Sequence, residues 1–140
     1  MTADSRRLSL RLSAEFGHAD VTEHLTSFVR ESGVRQGVAT VHVTGSTGAV
    51  TTIEYESGAL EDLRRALDRL APADAEYAHN ARWGDGNGFS HVRSALLKTS
   101  LAIPVVDGAL SLGTWQQVLV LNLDNRPRSR EVVMVVMGET

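Results

Sequence analysis

Seven residues near the start of the chain, Arg7-Leu8-Ser9-Leu10-Arg11-Leu12-Ser13, alternate polar and apolar without a break. Side chains along a strand point to opposite faces with a period of two, so Leu8, Leu10 and Leu12 share one face. The segment therefore reads as a half-buried strand, and a half-buried strand requires a sheet with something packed on its apolar side. More strands are written further along. Gly37 to Val43 is β-branched and alternating, and a turn-like Gly45-Ser46-Thr47-Gly48 leads into a second such run, Ala49 to Ile53. Leu101 to Val105, Ala109 to Leu112, Gln116 to Asp124 and Arg130 to Met137 read as four strands, with turn signals at Asp107-Gly108 and Asp124-Asn125-Arg126-Pro127. The last pair is expected to form a β-hairpin. Val132-Val133-Met134-Val135-Val136-Met137 barely alternates, which predicts burial on both faces, inside the domain or at a subunit contact.

Helical spacing appears in two places. Asp20, with Glu23 three residues on, reads as a capping signal; Val21, Leu25, Phe28 and Val29 follow, and Gly33 is a natural stop. This predicts a helix over residues 20–32. Residues 58–71 carry Leu60, Leu63, Leu67 and Leu70 on one stripe, and Pro72 ends it. Residues 80–89 read as a loop, with Ser90 capping a short third helix from His91 to Lys98. The expected fold is α+β: a compact, mostly antiparallel sheet of seven or eight short strands with two main helices and a short third. The chain, residues 1–140, is expected to be a single domain.

Composition narrows the function. There is no cysteine, which excludes disulfides, thiolate nucleophiles and Cys-ligated zinc. The net charge of -3 argues against a general nucleic-acid binder. No apolar run reaches the roughly 18 residues a membrane span needs, and Met1 to Arg7 lack the apolar stretch of a signal peptide, so a cytoplasmic protein is expected. Lys98 is the one lysine among fourteen basic residues.

The chemistry-bearing residues cluster between His79 and Gln116. His79, Asp85 and His91 surround the glycines of Gly84-Asp85-Gly86-Asn87-Gly88, poor material for a core. They can supply three ligands to a divalent metal and leave a position open. Alternatively, one histidine bonds the loop and the other packs on the helix. The same loop enters a helix, so amides at Gly86, Asn87, Gly88 and Ser90, with Arg82 and Arg93, can form a phosphate or carboxylate site. The alternative is a surface loop with a routine cap, and the ending of a P-loop is absent. Ser46 and Thr47 offer hydroxyls to an anion or form a plain turn, and Glu54 is a base, a ligand or a surface carboxylate. Thr114, Trp115 and Gln116 offer a flat apolar surface beside hydrogen-bonding groups, although such a tryptophan is more often core. His18 reads as a turn residue, His24 as polar helix face and His42 as structural.

Several of these strings occur together in one known family. Tyr77-Ala78-His79, Asp85-Gly86-Asn87-Gly88, Ser90-His91-Val92-Arg93, Ser100-Leu101-Ala102-Ile103-Pro104-Val105, Gly108-Ala109-Leu110, Leu112-Gly113-Thr114-Trp115-Gln116 and Val136-Met137-Gly138-Glu139 appear in order. With Asp20-Val21-Thr22 and Ser32-Gly33-Val34, they make the chain resemble the YjbQ-like family, also called secondary thiamine-phosphate synthases, from about residue 6 to the end. The resemblance implies a YjbQ-like fold, a homotrimer, and a pocket near the subunit contacts around the histidine loop, with a divalent ion such as Zn or Mg. It also implies a transferase activity: hydroxymethylpyrimidine diphosphate joined to thiazole phosphate with release of diphosphate. His79, Asp85, His91 and Glu54 would then be catalytic, with His79, His91 and Asp85 as metal ligands. Ser46, Thr47, Arg82, Gly86, Asn87, Gly88, Ser90, Arg93, Thr114, Trp115 and Gln116 would bind substrate. One departure stands out: where many members have His-Thr-Ser or His-Thr-Thr, this chain has Gly45-Ser46-Thr47, so the family's third histidine is missing. Two other classes remain open: a non-enzymatic trimer that binds a small phosphorylated metabolite or an ion, and a metal-dependent hydrolase.

Overall fold

The computed structural model describes residues 1–140. Its elements run β1 (Thr2–Leu12), β2 (Gly17–Asp20), α1 (Thr22–Ser32), β3 (Gln36–Thr44), β4 (Gly48–Ile53), α2 (Ser57–Leu70), α3 (Ala78–Trp83), α4 (Gly88–Leu97), β5 (Ser100–Val106), β6 (Ala109–Leu110), β7 (Gln117–Asn122) and β8 (Arg128–Glu139). The fold is α+β, with eight strands in two sheets: a five-stranded sheet in the order β1-β8-β3-β5-β6 and a three-stranded sheet in the order β2-β7-β4. Every pairing is antiparallel.

The two sheets face each other across a core of seventeen buried residues, among them Val41, Val120 and Met134. Leu25, Phe28 and Val29 of α1 join this core. On its other face the small sheet carries Leu119 and Leu121 into a second core, with Leu67 of α2 and a flank from Leu97 of α4. The molecule is thus layered: large sheet, small sheet, helices. This explains why β7, not β8, is the strand buried on both faces. Val118 and Val120 point between the sheets, and Leu119 and Leu121 point to the helices. Within one chain β8 is covered on one face only, so of the two alternatives expected for it, burial of both faces inside the domain is corrected. Its Val132, Met134 and Val136 are buried, whereas Val133 and Val135 are half-buried and Met137 is exposed on the open outer face.

The expected β7–β8 hairpin does not form, because the two strands belong to different sheets. The five residues between them are pinned by the Asn122 side chain and a backbone bond instead of closing a tight turn. Asn122 Nδ2 donates to the Ser13 and Arg126 carbonyls at 2.9 and 3.0 Å, and the Leu123 N–H donates to the Thr47 carbonyl at 2.9 Å. β3 and β4 likewise part into separate sheets across Gly45–Thr47.

Helix boundaries differ in instructive ways. Asp20 stays in β2, yet its carboxylate accepts from the Thr22 N–H (2.9 Å) and hydroxyl (2.6 Å), so the capping signal acts just ahead of α1. Gly33, at φ 77°, closes α1 as expected. Glu56 caps α2, accepting from the Gly58 and Ala59 amides at 2.7 and 2.8 Å; these bonds hold its carboxyl below the usual range. His18 lies on β2, not in a turn. Residues 80–89 are not one loop: α3 occupies their first part, and α4 starts at Gly88, ahead of the expected His91. No helix is long and apolar enough to cross a membrane.

Candidate functional site

The histidine loop is built by two short helices meeting at glycines. Gly84, at φ 72°, ends α3 and donates its N–H to the Asn80 carbonyl at 2.9 Å. Asn80 Oδ1 then accepts from the Gly88 N–H at 2.8 Å, bridging the loop. A Cβ at Gly88 would lie 2.5 Å from Tyr77 Cβ, so only glycine lets α4 begin there. The result is a close imidazole pair. The His79 and His91 ring centroids are 4.4 Å apart at 41°, and His79 Nδ1 lies 3.4 Å from Asp85 Oδ1. That nitrogen is buried and makes no hydrogen bond.

These three side chains do not converge as a ligand set: no group of three His, Asp or Glu side chains is arranged to hold a metal ion. The missing histidine has a structural counterpart. Gly45 sits at φ 133°, and Arg130 Nη1 lies 3.0 Å from the point a Cβ would occupy. A histidine at this position would be strained by that backbone and would press on the Arg130 guanidinium. The residues present therefore do not fit a metal held by three protein side chains.

Arg130 belongs to a buried polar network under the loop. Its Nη2 donates to Thr47 Oγ1 and to Asn122 Oδ1, each at 2.6 Å. Asp124, also buried, accepts from the Thr47 hydroxyl (3.0 Å), Asn87 Nδ2 (3.3 Å), Arg128 Nε (3.0 Å) and the Asn125 N–H (2.8 Å). Burial pushes the Asp124 carboxyl up, but the bonds from Asn87, Thr47, Asn125 and Arg128 outweigh it and hold the group below its ordinary value. Burial also pulls the Arg130 guanidinium down, a tendency Asp124 opposes. Asn125 Nδ2 reaches the Asp85 carbonyl at 2.9 Å. One network thus fixes the Gly45–Thr47 turn, the β7–β8 connection and the histidine loop against each other.

Above it opens a cavity of about 340 Å³, walled by Gly45, Ser46, His91, Ser94 and Lys98. No carboxylate lines it. The structure brings the histidine loop and the Ser46 turn to one place, as a site built from both requires. Thr47 is close by but buried, its hydroxyl spent on Asp124 and Arg130.

Several expected residues are placed elsewhere. Arg93 is buried, with Nε on the Ala71 carbonyl (2.9 Å), Nη2 on Asp68 (3.0 Å) and its guanidinium over Phe89; it ties α4 to α2 and faces no anion. Arg82 stacks over the exposed Trp83. The amides of Gly88, Ser90 and His91 are spent on Asn80 and Asn87, so the start of α4 is no free anion cradle. Asn87 and Ser90 are buried, and Gly86, at φ 71°, shapes the loop. Thr114 and Gln116 border a different cavity, beside Thr22 and Arg30, and Trp115 is 72% exposed. Glu54 is exposed past the end of β4. Sequence reading missed Asp124 and Arg130, which look like turn and strand residues. It also passed over Lys98, although its being the one lysine was a signal.

Residues 6–139 match the family model described as UPF0047 protein YjbQ-like. The chain belongs to the YjbQ/UPF0047 family. A UPF0047 protein of Methanothermobacter thermautotrophicus is 37% identical over 139 residues, covering 99% of this chain and 95% of the relative. One from Archaeoglobus fulgidus is 33% identical, covering 91% and 96%. Among solved structures, a YjbQ-like protein of unknown function from Sulfolobus solfataricus superimposes with a TM-score of 0.87 at 26% identity, covering 99% of this chain and all of that one. A family member from Clostridium acetobutylicum gives 0.86 at 29% identity, covering 94% and 99%. The YjbQ-like architecture thus extends over the whole chain.

Proposed function

We propose that this family member binds a small phosphorylated metabolite in the cavity between the Gly45–Ser46 turn and His91. The observation that carries the reading is the wall of that cavity. A hydroxyl, an imidazole and an ammonium surround it, and no carboxylate lines it, although the chain carries seventeen acidic residues. Such a wall favours an anion over a cation or a neutral ring. Calorimetric titration of the full chain with inorganic phosphate and diphosphate tests it. His91→Ala and Ser46→Ala should each weaken binding, and a wild-type protein that takes up neither anion would remove the reading.

The imidazole pair favours a second, enzymatic reading. His91 borders the cavity and is backed by His79, whose Nδ1 faces Asp85. An imidazole so placed can give a proton to a departing phosphate oxygen, the need of a thiamine-phosphate synthase as diphosphate leaves. The reading assigns no step to a metal. Its test is diphosphate release from hydroxymethylpyrimidine diphosphate and thiazole phosphate, with His79→Ala alongside. We further propose that the chain works as a homotrimer. The outer face of the large sheet, where Val38, Val106 and Met137 are exposed, supports this.

A further inference from the structure

Lys98 ends α4 in a backbone conformation that side chains avoid. At φ 78° and ψ 161° it occupies a region almost confined to glycine. The position is not slack. Its N–H donates to the Ser94 carbonyl at 2.8 Å and its carbonyl accepts from the Val50 N–H at 3.1 Å, so α4 and β4 hold it from both sides. Glycine meets this backbone demand without strain, yet the residue present is the chain's one lysine. A local rule broken in this way marks a place where the side chain is used.

The second observation is what the residue borders. On one side lies the His91 and Ser46 cavity. On the other lies a second cavity, of about 320 Å³, walled by Thr52, Ser100, Leu101, Leu112 and Gln116 among others. Lys98 lines both, and it is the one Lys, Arg, Asp or Glu in either wall. It takes part in none of the protein's ion pairs. The second wall mixes hydroxyls with apolar side chains. Gln116 is fixed there, its Nε2 on Thr52 Oγ1 at 3.2 Å and its Oε1 accepting from the Gly113 N–H at 3.0 Å. Such a wall suits an uncharged organic group.

We propose that Lys98 is the shared anion anchor of a two-part site whose ligand is a small organic phosphate monoester. The phosphoryl group lies among Lys98, His91 and Ser46, and the uncharged part occupies the cavity walled by Thr52 and Gln116. This rests on the anion reading of the first cavity and adds both the anchoring residue and the second half of the ligand.

The test titrates wild type, Lys98→Gly, Lys98→Gln and Lys98→Arg with inorganic phosphate and with phenyl phosphate. Amide chemical shifts of Thr52 and Gln116 are followed in the same samples. Lys98→Gly and Lys98→Gln should bind phosphate at least ~10-fold more weakly, as loss of a charge-assisted hydrogen bond requires, and Lys98→Arg should retain most of the affinity. Lys98→Gly should unfold at or above the wild-type temperature, which shows that weaker binding is not misfolding. Phenyl phosphate should shift Thr52 and Gln116, and inorganic phosphate should not. Wild-type affinity in both Lys98→Gly and Lys98→Gln, with binding lost in His91→Ala, overturns the role of Lys98 and leaves the first cavity standing. Unmoved Thr52 and Gln116 amides under saturating phenyl phosphate overturn the second half of the site. A wild type that binds no phosphate overturns the cavity reading and this one with it.

Discussion

Asp124 is the side chain on which the loops of the candidate site converge. It is 1% exposed and accepts from three side chains and one amide, so its charge is dispersed over donors that belong to three segments. Asp124→Asn keeps the shape but takes the negative charge from beneath Arg128 and Arg130. Breaking a buried, hydrogen-bonded charge of this kind costs about 3 kcal/mol, and chemical denaturation will read the loss. The pH dependence follows from the lowered carboxyl. A group more acidic when folded contributes stability that is full above its unfolded pKa and disappears as pH falls through its folded one. Thermal melts taken downward from neutral pH should therefore fall more steeply for wild type than for Asp124→Asn in the acid range. None of this was legible in the sequence, where Asp124-Asn125-Arg126-Pro127 reads as a turn. The chain bends there without closing a hydrogen-bonded turn, and the partners that bury its aspartate come from residues 47 and 87, which no local pattern links to it.

Among the elements, the junction of β3 with β8 is the tightest. Gly37 and Gly138 are register partners, and a Cβ on either would come within about 2 Å of a carbonyl on the opposite strand, Met137 O or Gln36 O. Glycine is needed at both positions for close backbone approach, not for unusual dihedrals. Gly37→Ala should destabilise by about 1–3 kcal/mol through overpacking, seen as a lower denaturant midpoint. Alternation in β3 and β1 was readable because each has one covered face, and the leucine stripe of α2 was readable for the same reason. The assignment of strands to sheets was not. Period two says which side chains share a face but not which strand lies alongside. The apolar run of β8 reads as buried on both faces, yet within the chain it is β7, Val118 to Asn122, that is enclosed on both sides. An apolar outward row on β8, with Val133, Val135 and Met137, mimics the signature of a central strand. The histidine pair was legible as a cluster, since 79 and 91 flank one loop. Its meeting with Ser46 depended on how the two sheets stack.

At the scale of the molecule, the large sheet leaves its outer face uncovered, with Val38 37%, Met137 45% and Val106 49% exposed. A stable patch of this kind is expected to be covered by other copies of the chain. Sedimentation velocity should show a trimer for wild type and a smaller species for Val135→Glu, whose carboxylate would sit amid that face; a wild-type monomer would rule the assembly out. The same sheet joins the two ends of the chain. β1 runs beside β8 from Thr2 opposite Gly138 to Leu12 opposite Arg128, and the Met1 amino group lies 3.5 Å from Glu139 Oε2. β1 has no other neighbour in its sheet. β1 can therefore pair only once β8, the last of the eight strands in chain order, has been made. Its backbone edge stays unpaired until then, and large sequence separation of this kind slows folding. Until β8 arrives, β1 is an unpaired strand open to any other edge that offers itself.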